Sequence, residues 1–151
     1  MNQAHRLPLM PAQGIDADVV ARAEAALKSL SAQFSRWLQD EIDKMDAARA
    51  AVGLEGLTSP AGEALYTRAH DLKGLGGTYE FPIVTRAAGS LCRVIDSERA
   101  RAAAPLSLVD SHINAIKSMI RDGIKTDDHP IGQAMVLSLE DQVAAFRNTL
   151  G

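Results

Sequence analysis

Apolar residues recur every three or four positions along most of this chain, which is the period of an amphipathic helix. The longest row comprises Val19, Ala23, Leu27, Leu30, Phe34, Trp37/Leu38, Ile42, Met45 and Val52. It predicts one long first helix, with a break near Ser29 or Ser31 left open. Because Trp37 belongs to this row, we expect its side chain in the core.

Residues on either side of this row suggest where the helix starts and stops. Residues 1–14 contain two prolines, a glycine and few apolar anchors, and we predict a loose N-terminal tail there. Asp16 and Asp18 are candidate N-caps. Gly53 and Gly56 are candidate terminators.

Two prolines divide the middle of the chain. Ser59 before Pro60 is a capping residue followed by proline at the first helical position, which predicts the start of a second helix. The residue before a proline avoids helical angles, so Phe81 before Pro82 marks the next boundary. The third helix then carries the row Val84, Ala87/Ala88, Leu91 and Val94/Ile95. The turn between the second and third helices is short, so we expect them to be antiparallel neighbours.

Two more helices complete the predicted fold. Pro105 and Ser107 open the fourth, and Gly123 is its candidate stop; Pro130 opens the fifth. Their apolar rows are Val109, Ile113, Ile116 and Ile120, and then Ile131, Met135, Leu139, Val143, Phe146 and Leu150. We predict an all-α fold over residues 15–151, an up-and-down antiparallel four-helix bundle with an extra or split helix.

Composition narrows the class of protein. Hydrophobic residues make up 46% of the chain and aromatic residues 4%, as in a helical core of aliphatic residues and alanine. The net charge of -3 is spread along the chain without a basic block, so we expect no nucleic-acid partner. No apolar run approaches the ~20 residues that span a bilayer, and the N-terminus lacks a signal-peptide pattern. A lone cysteine fits a reducing compartment. We therefore expect a cytoplasmic protein with no membrane partner.

The stretch AHDLKGLGGTY, residues 69–79, stands out within the second helix. At about 100° per residue, one side of this helix holds Leu65, Ala69, Leu72, Gly76 and Tyr79, with Leu75 at its margin. That side is predicted to face the core, and Gly76 would let another helix approach closely. His70 lies roughly 160° from Leu72 by the same count, so we expect the imidazole to be exposed.

The face that His70 occupies holds Glu63, Tyr66 and Thr67 before it, and Lys73, Gly74 and Gly77 after it. A glycine inside a helix costs about 1 kcal/mol relative to alanine, so surface glycines need a reason. Gly74 and Gly77 would leave the imidazole standing clear for the backbone of a partner. Lys73 lies one turn away, within reach of a group bonded to His70.

Other interpretations of this stretch stay open. A lone surface histidine is usually only a solvated side chain. The helix could also stop at Lys73, with Gly74 as its C-cap. A phosphate-binding loop is weakly indicated, because GLGGTYE lacks a Gly-Lys-Ser/Thr ending and no strand precedes it.

An exposed histidine beside a lysine suits phosphoryl transfer. Neutral imidazole has an unperturbed pKa of about 6.5 and is a good nucleophile near neutral pH. It can attack phosphorus to form a phosphoramidate, and a nearby cation offsets the charge that arrives.

The residues His70-Asp71-Leu72-Lys73-Gly74, followed by Gly77-Thr78-Tyr79 and Phe81, resemble the H-x-L-K-G signature of histidine phosphotransfer (HPt) domains. The version in chemotaxis histidine kinases is especially similar. The next segment, LCRVID at residues 91–96, resembles the family's following helix, and the resemblance covers residues 65–96. One departure is Glu80, where many members have glycine ten residues after the histidine.

The resemblance implies a four-helix bundle whose exposed histidine carries a phosphoryl group. It implies exchange with the aspartate of response-regulator receiver domains, or transfer from a sensor histidine kinase to a receiver. Carried over, His70 is the phosphoacceptor and Lys73 its charge partner. Gly74 and Gly77 give the receiver access, and we expect Thr67, Tyr66 and Glu63 to share the docking face. The protein itself needs no cofactor, since Mg²⁺ belongs to the receiver.

Two alternatives accompany this interpretation. The phosphoacceptor box of sensor-kinase dimerisation domains starts in a similar way, and Asp71 would then act as a base on the imidazole. That box continues with Thr-Pro, whereas Gly74 follows Lys73 here, and no ATP-binding domain is recognisable, so we expect no autonomous kinase activity. A non-phosphorylated helical adaptor for a signalling partner is the second alternative. A monomer is favoured, because the sequence shows no exposed heptad that demands a dimer.

The remaining chemistry-bearing residues have plainer interpretations. His112 borders the row of the fourth helix and is predicted to be structural, and His129 is predicted to lie in a capping turn. Cys92 has no histidine motif beside it, so we expect a buried apolar thiol.

Overall fold

A computed structural model describes the backbone of residues 9–151 and the side chains from residue 16 onward. Within this range every regular element is a helix and no strand occurs, which confirms the all-helical class. The chain divides into two compact units, one up to Phe34 and one from Ser35 to Gly151. The predicted tail, residues 1–14, overlaps this range in part: residues 9–14 are helical, and residues 1–8 lie outside the described part.

Six helices follow one another along the described chain: α1 (Leu9–Glu55), α2 (Pro60–Leu75), α3 (Pro82–Val94), α4 (Glu98–Ala103), α5 (Leu106–Asp122) and α6 (Pro130–Leu150). Five of them were predicted. The helix that was not predicted, α4, has only 6 residues, which is too short to show a hydrophobic period. Its N-cap is Ser97, whose hydroxyl accepts a hydrogen bond from the backbone N–H of Ala100.

The N-terminal part of α1 differs from the prediction. Asp16 and Asp18 lie inside the helix and are not its N-caps. Asp18 instead accepts a hydrogen bond from Arg22, four residues on, at 2.8 Å. Such a pair supports a helix from within. The helix also runs through Ser29 and Ser31 without a break.

Most other boundaries lie where the capping residues predicted them. Gly56 follows α1 with a φ of 91°, and Gly123 follows α5 with a φ of 68°; glycine adopts such left-handed angles without strain. Ser59 caps the first turn of α2 through its hydroxyl. His129 caps α6, because its Nδ1 accepts a hydrogen bond from the backbone N–H of Ile131, which confirms the capping turn.

The core of the unit from Ser35 onward is aliphatic, as composition predicted. Its fully buried large side chains are Leu38, Ile42, Met45, Val52, Leu65, Leu72, Ile83, Leu91, Ile95, Ile116 and Met119, joined by His112. Trp37 and Ile131 of the predicted apolar rows are exposed, at 41% and 60%. The neighbouring residue takes the buried position in each case, namely Leu38 and Gly132. Four other residues of these rows are only half-buried, namely Tyr79, Ile120, Met135 and Leu150.

Polar contacts tie these helices together at their edges. The Arg86 guanidinium on α3 donates two hydrogen bonds to the Glu140 carboxylate on α6, at 2.8 and 2.6 Å. Arg49 on α1 makes a similar bidentate pair with Asp110 on α5, at 2.6 and 3.0 Å. Two-point pairs of this kind fix the orientation of the helices as well as their distance.

His112 is fully buried between α3 and α5, which agrees with its predicted structural role. One ring nitrogen, Nδ1, lies 2.8 Å from the carbonyl oxygen of Leu108. Since a carbonyl can only accept, Nδ1 carries the proton and Nε2 accepts from the Ser90 hydroxyl, at 2.9 Å. Burial lowers the pKa of the imidazole from its ordinary value, an effect that the bond to Leu108 partly opposes.

Among the described helices, none combines the length and the apolar character that crossing a membrane requires.

Candidate functional site

Helix α2 presents His70 to solvent, as predicted. Leu65, Ala69 and Leu72 are buried on its opposite side, and His70 itself is exposed. The helix continues past His70 to Leu75. The alternative in which Gly74 caps a helix ending at Lys73 is therefore wrong.

The end of α2 is held by one side chain of α3. The Thr85 hydroxyl donates to the carbonyl oxygen of Lys73 at 2.9 Å and accepts from the backbone N–H of Gly77 at 3.0 Å. This contact shows α3 running back along α2, as the short turn predicted. Gly76 makes the approach possible, because a Cβ there would lie 2.7 Å from the backbone nitrogen of Thr85.

The fold does not require the glycines at 74 and 77. Apart from its chain neighbours and the backbone of its own helix, no described atom lies within 4 Å of the position that a Cβ would occupy at Gly74. At Gly77 the Thr85 hydroxyl lies 4.0 Å from that position. Neither has a positive φ. Gly77 follows the end of α2 and belongs to the turn, so it does not lie on the helix as predicted. Both positions are exposed, and at both the backbone is bare.

The imidazole of His70 forms no hydrogen bond with the described part of the chain. Among residues 16–151, neither of its ring nitrogens has a hydrogen-bonding or ion-pairing partner. Its nearest aromatic neighbour is Tyr66, one turn earlier, with 6.0 Å between the ring centroids. A free ring nitrogen at the surface keeps the lone pair that a nucleophile needs.

Lys73 is exposed and leans towards α3. Its aliphatic stem passes over Gly89, where a Cβ would lie 3.7 Å from Lys73 Cδ. No described residue forms a hydrogen bond or ion pair with its amine. Lys73 is therefore an uncommitted cation one turn from His70.

A surface cleft of about 450 Å³ opens beside His70. Its lining residues are Glu41, Lys44, Arg68, His70, Asp71, Gly74 and Leu75. The cations of the cleft are paired: Lys44 lies 3.1 Å from the Glu41 carboxylate, and Arg68 lies 3.8 Å from the Asp71 carboxylate. The contribution of α1 to this cleft was not predicted, since no local pattern in the sequence shows which helix packs beside α2.

The remaining predicted docking residues lie one or two turns before His70. Thr67 and Glu63 are exposed, and Tyr66 is half-buried. The Thr67 hydroxyl donates to the carbonyl oxygen of Glu63 at 3.1 Å. The Glu63 carboxylate lies 3.9 Å from Arg101. These three residues share one surface with His70, as predicted, but they do not line the cleft.

An aromatic pair lies beyond the end of the cleft. The rings of Trp37 and Tyr79 are 5.5 Å apart between centroids. Trp37 precedes the cleft residue Glu41 by one turn of α1. The backbone N–H of Tyr79 donates a hydrogen bond to the carbonyl oxygen of Leu75, another cleft residue. The charged cleft is thus continued by a partly exposed apolar surface.

Glu80 has a left-handed backbone. Its φ is 71°, and it is the single non-glycine residue with a positive φ in the described part of the chain. Glycine adopts this conformation most readily. The Glu80 carboxylate lies 3.7 Å from Lys125.

The described residues provide neither a cluster of metal ligands nor a reactive thiol. No group of three or more His, Cys, Asp or Glu side chains is placed there to hold a metal ion. Cys92 is buried, as predicted, and burial raises the pKa of its thiol to about 11, so the reactive thiolate is scarce at neutral pH.

Comparisons of the chain with protein-family models, with curated proteins and with solved structures find no match.

Proposed function

We propose that this chain is a histidine-containing phosphotransfer protein, in which His70 accepts and donates a phosphoryl group within a two-component phosphorelay. The observation that carries the proposal is the surface around His70. A hydrogen-bond-free imidazole, an uncommitted Lys73 and the bare backbone of Gly74 lie within about one turn of helix.

Each of these features has a use in the reaction. The free ring nitrogen attacks the phosphorus of an aspartyl phosphate, and a P–N bond forms as the P–O bond to the aspartate breaks. The electron pair of the broken bond leaves with the carboxylate, and the proton of the other ring nitrogen can pass to water. Catalysis of such transfers depends on positioning and charge stabilisation. Lys73 supplies a cation from this chain, and Mg²⁺ and the aspartate come from the receiver.

Access to the imidazole also fits this function. A receiver must bring its aspartate within bonding distance of His70, so its loops must come close to α2. The open space at Gly74 permits that approach. The cleft beside His70 and the Trp37–Tyr79 pair offer a mixed charged and aromatic surface for docking, of the composition common in protein interfaces.

The finer description of the fold belongs to the same proposal. The residues of α1 from Ser35 onward, with α2, α3, α5 and α6, supply the buried side chains of one core. We assign them to an up-and-down bundle of the HPt type, with α4 as an added short helix. A bundle of this kind holds α2 rigidly and leaves one of its faces to the solvent.

Chemical labelling tests the site without a known partner. Phosphoramidate, a small phosphodonor, should label the wild type with an acid-labile, alkali-stable phosphoryl group. His70→Gln should abolish that label, whereas His129→Asn, which retains a capping acceptor at an exposed position, should keep it. Label persisting in His70→Gln would assign the phosphoryl group to another residue.

Transfer from receivers tests the function itself. Receiver domains charged with acetyl phosphate should pass label to the wild type and not to His70→Gln. Trp37 is the sole tryptophan of the chain, so its emission should change when a receiver docks. If a broad set of receivers and kinases gives no transfer, the phosphocarrier proposal is wrong. If one of them nevertheless binds, the non-phosphorylated adaptor replaces it.

A further inference from the structure

Helices α2 and α3 run antiparallel, and the contacts between them follow a regular register. The backbone N–H of Gly77 donates to the Thr85 hydroxyl at 3.0 Å. One turn further along α3, a Cβ at Gly89 would lie 3.7 Å from the stem of Lys73. A step of four residues forward on α3 thus matches a step of four residues back on the α2 side. Continued by one more turn, this register sets Arg93 of α3 beside the turn of α2 that precedes Lys73.

That turn of α2 carries His70, and two cations converge on its level. Helical side chains lean towards the N-terminus of their own helix, so Lys73 and Arg93 lean towards each other across the antiparallel pair. Arg93 accordingly lines a cavity of about 420 Å³ together with Gly89, one turn earlier on α3. Burial raises the pKa of the Cys92 thiol to about 11, and the Lys73 amine partly opposes this rise. The amine therefore lies near the residue that precedes Arg93.

Both cations are exposed and uncommitted. From Ser35 to Gly151, the lysine and arginine side chains without a described hydrogen bond or ion pair are Arg36, Lys73 and Arg93. Two of these three are therefore neighbours across α2 and α3. Residues 1–15, whose side chains lie outside the described part, contain no aspartate or glutamate. They offer no side-chain carboxylate to either cation.

Glu140 is the carboxylate of the cavity that Arg93 lines, and it is held by another residue. Arg86 donates two hydrogen bonds to it. These bonds are the main reason that the pKa of Glu140 lies below its ordinary value, and Arg93 adds a smaller electrostatic effect. Within the described chain, the five N–H donors of Arg93 remain free for another acceptor.

A phosphoryl group is an anion that suits this pair. Two neighbouring cations without a carboxylate repel each other, so they favour an anion between them. A phosphoryl group on His70 carries about two negative charges, and Lys73 alone balances only half of that charge. Arg93 would add the planar fork of donors that matches phosphoryl oxygens. Packed helices lie about 8–10 Å apart, a gap that a long arginine side chain can bridge.

We propose that Arg93 is a second cation of the phosphotransfer site, whose guanidinium binds the phosphoryl oxygens together with Lys73 while His70 carries the group. This inference rests on the proposed function and adds a residue of α3 to it. As the P–O bond to the aspartate breaks and the P–N bond to His70 forms, the phosphoryl oxygens keep their negative charge. Once the receiver and its Mg²⁺ have left, Lys73 and Arg93 are the cations that stay with the phosphohistidine.

The lifetime of the phosphohistidine tests this role without a partner protein. The full chain is labelled with phosphoramidate, the donor is removed, and the loss of label from His70 is followed. Arg93→Ala should shorten the lifetime roughly three- to tenfold, because a charge-assisted contact with the phosphoryl group is lost. Arg93→Lys keeps the charge and should retain most of the lifetime. Arg121→Ala is the matched control, since it removes an exposed arginine that pairs with Asp122 on α5, and it should behave like the wild type.

The outcomes separate this inference from the proposed function. Urea unfolding should show unchanged stability in Arg93→Ala, and if that variant is destabilised, Arg93→Gln, which keeps most of the stem, takes its place. A lifetime equal to or longer than that of the wild type would overturn the role of Arg93 and leave the proposed function standing. An equal loss in Arg121→Ala would attribute the effect to net charge and would also overturn that role. Absence of label on His70 of the wild type would contradict the proposed function, and this inference with it.

Discussion

The hydroxyl of Thr85 bonds the carbonyl oxygen of Lys73, and through this contact α3 holds the end of the helix that carries His70. The same hydroxyl accepts from the N–H of Gly77. Helix C-termini leave carbonyl groups without partners, and here a neighbouring helix satisfies one of them. Thr85 therefore links the packing of α3 to the geometry of the candidate site.

Replacing Thr85 by valine should destabilise the protein by about 1–2 kcal/mol, because two hydrogen bonds are lost with little change in volume. Thr85→Ser keeps the hydroxyl and should cost less than Thr85→Val. Urea unfolding of both variants measures the difference. A loss in Thr85→Val no larger than that in Thr85→Ser would contradict the role of the hydroxyl.

The two glycines at 74 and 76 should respond to alanine in opposite directions. Gly76→Ala places a Cβ 2.7 Å from the backbone nitrogen of Thr85, so the helices must separate, at a cost of about 1–3 kcal/mol. Gly74→Ala adds a methyl group in open space on a helix and should stabilise by up to about 1 kcal/mol. Thermal or urea unfolding of the pair checks both signs, and a destabilised Gly74→Ala would contradict the open environment.

A large side chain at position 74 should impair the docking of a receiver and leave folding intact. Gly74→Leu should fold at least as well as the wild type and should transfer phosphoryl groups from a receiver much more slowly, because its side chain occupies the approach to His70. Labelling by phosphoramidate, which is small, should be little affected. Unchanged transfer from the receiver would show that the docking surface does not include Gly74.

Capping residues were enough to predict most helix boundaries, and local periodicity was enough to predict the outward direction of His70, because both depend on neighbours in the chain. It failed where a choice depended on distant residues. Trp37 and Leu38 share one apolar row, and only the packing of α1 in the unit shows that Leu38 is buried and Trp37 stays half-exposed. Likewise the cleft residues Glu41 and Lys44 come from a helix that is remote in sequence from α2.

Glu80→Gly should stabilise the protein. The left-handed backbone at residue 80 costs a non-glycine residue about 1–2 kcal/mol, and glycine avoids this cost at the expense of some chain entropy. The exposed ion pair with Lys125 offsets little of the gain. We expect a net gain of about 0.5–1 kcal/mol in urea unfolding. Glu80→Gln removes the charge but keeps the strained backbone, so it should change stability much less; a similar gain in both variants would attribute the effect to charge.

Lys73→Ala should weaken phosphoryl transfer at His70 without unfolding the protein, if the proposed function is correct. A charge-assisted contact of about 1 kcal/mol corresponds to a five- to tenfold change in rate or in phosphohistidine lifetime. Lys44→Ala is the matched control, because the Lys44 amine is already paired with Glu41, and it should have a smaller effect. Single-turnover transfer and the decay of the isolated phosphoprotein measure both quantities. Equal transfer rates and equal phosphohistidine lifetimes in the two variants would show that Lys73 is not the charge partner.

The buried imidazole of His112 should make the fold sensitive to acid. Its pKa is lowered in the folded state, so on acidification the unfolded chain takes up a proton before the folded chain does. The stability that neutral His112 contributes is therefore complete above the ordinary histidine pKa of about 6.5, declines as the pH falls below that value, and is fully lost once the pH has passed the lowered pKa of the folded protein.

Urea unfolding of the wild type between pH 8 and about pH 5 should show this decline. His112→Leu removes the titrating group, so its stability should fall less steeply below pH 6.5, even though the lost bonds to Ser90 and Leu108 lower its stability at neutral pH. Identical slopes for the two proteins in this range would show that His112 is not the group whose protonation opposes folding.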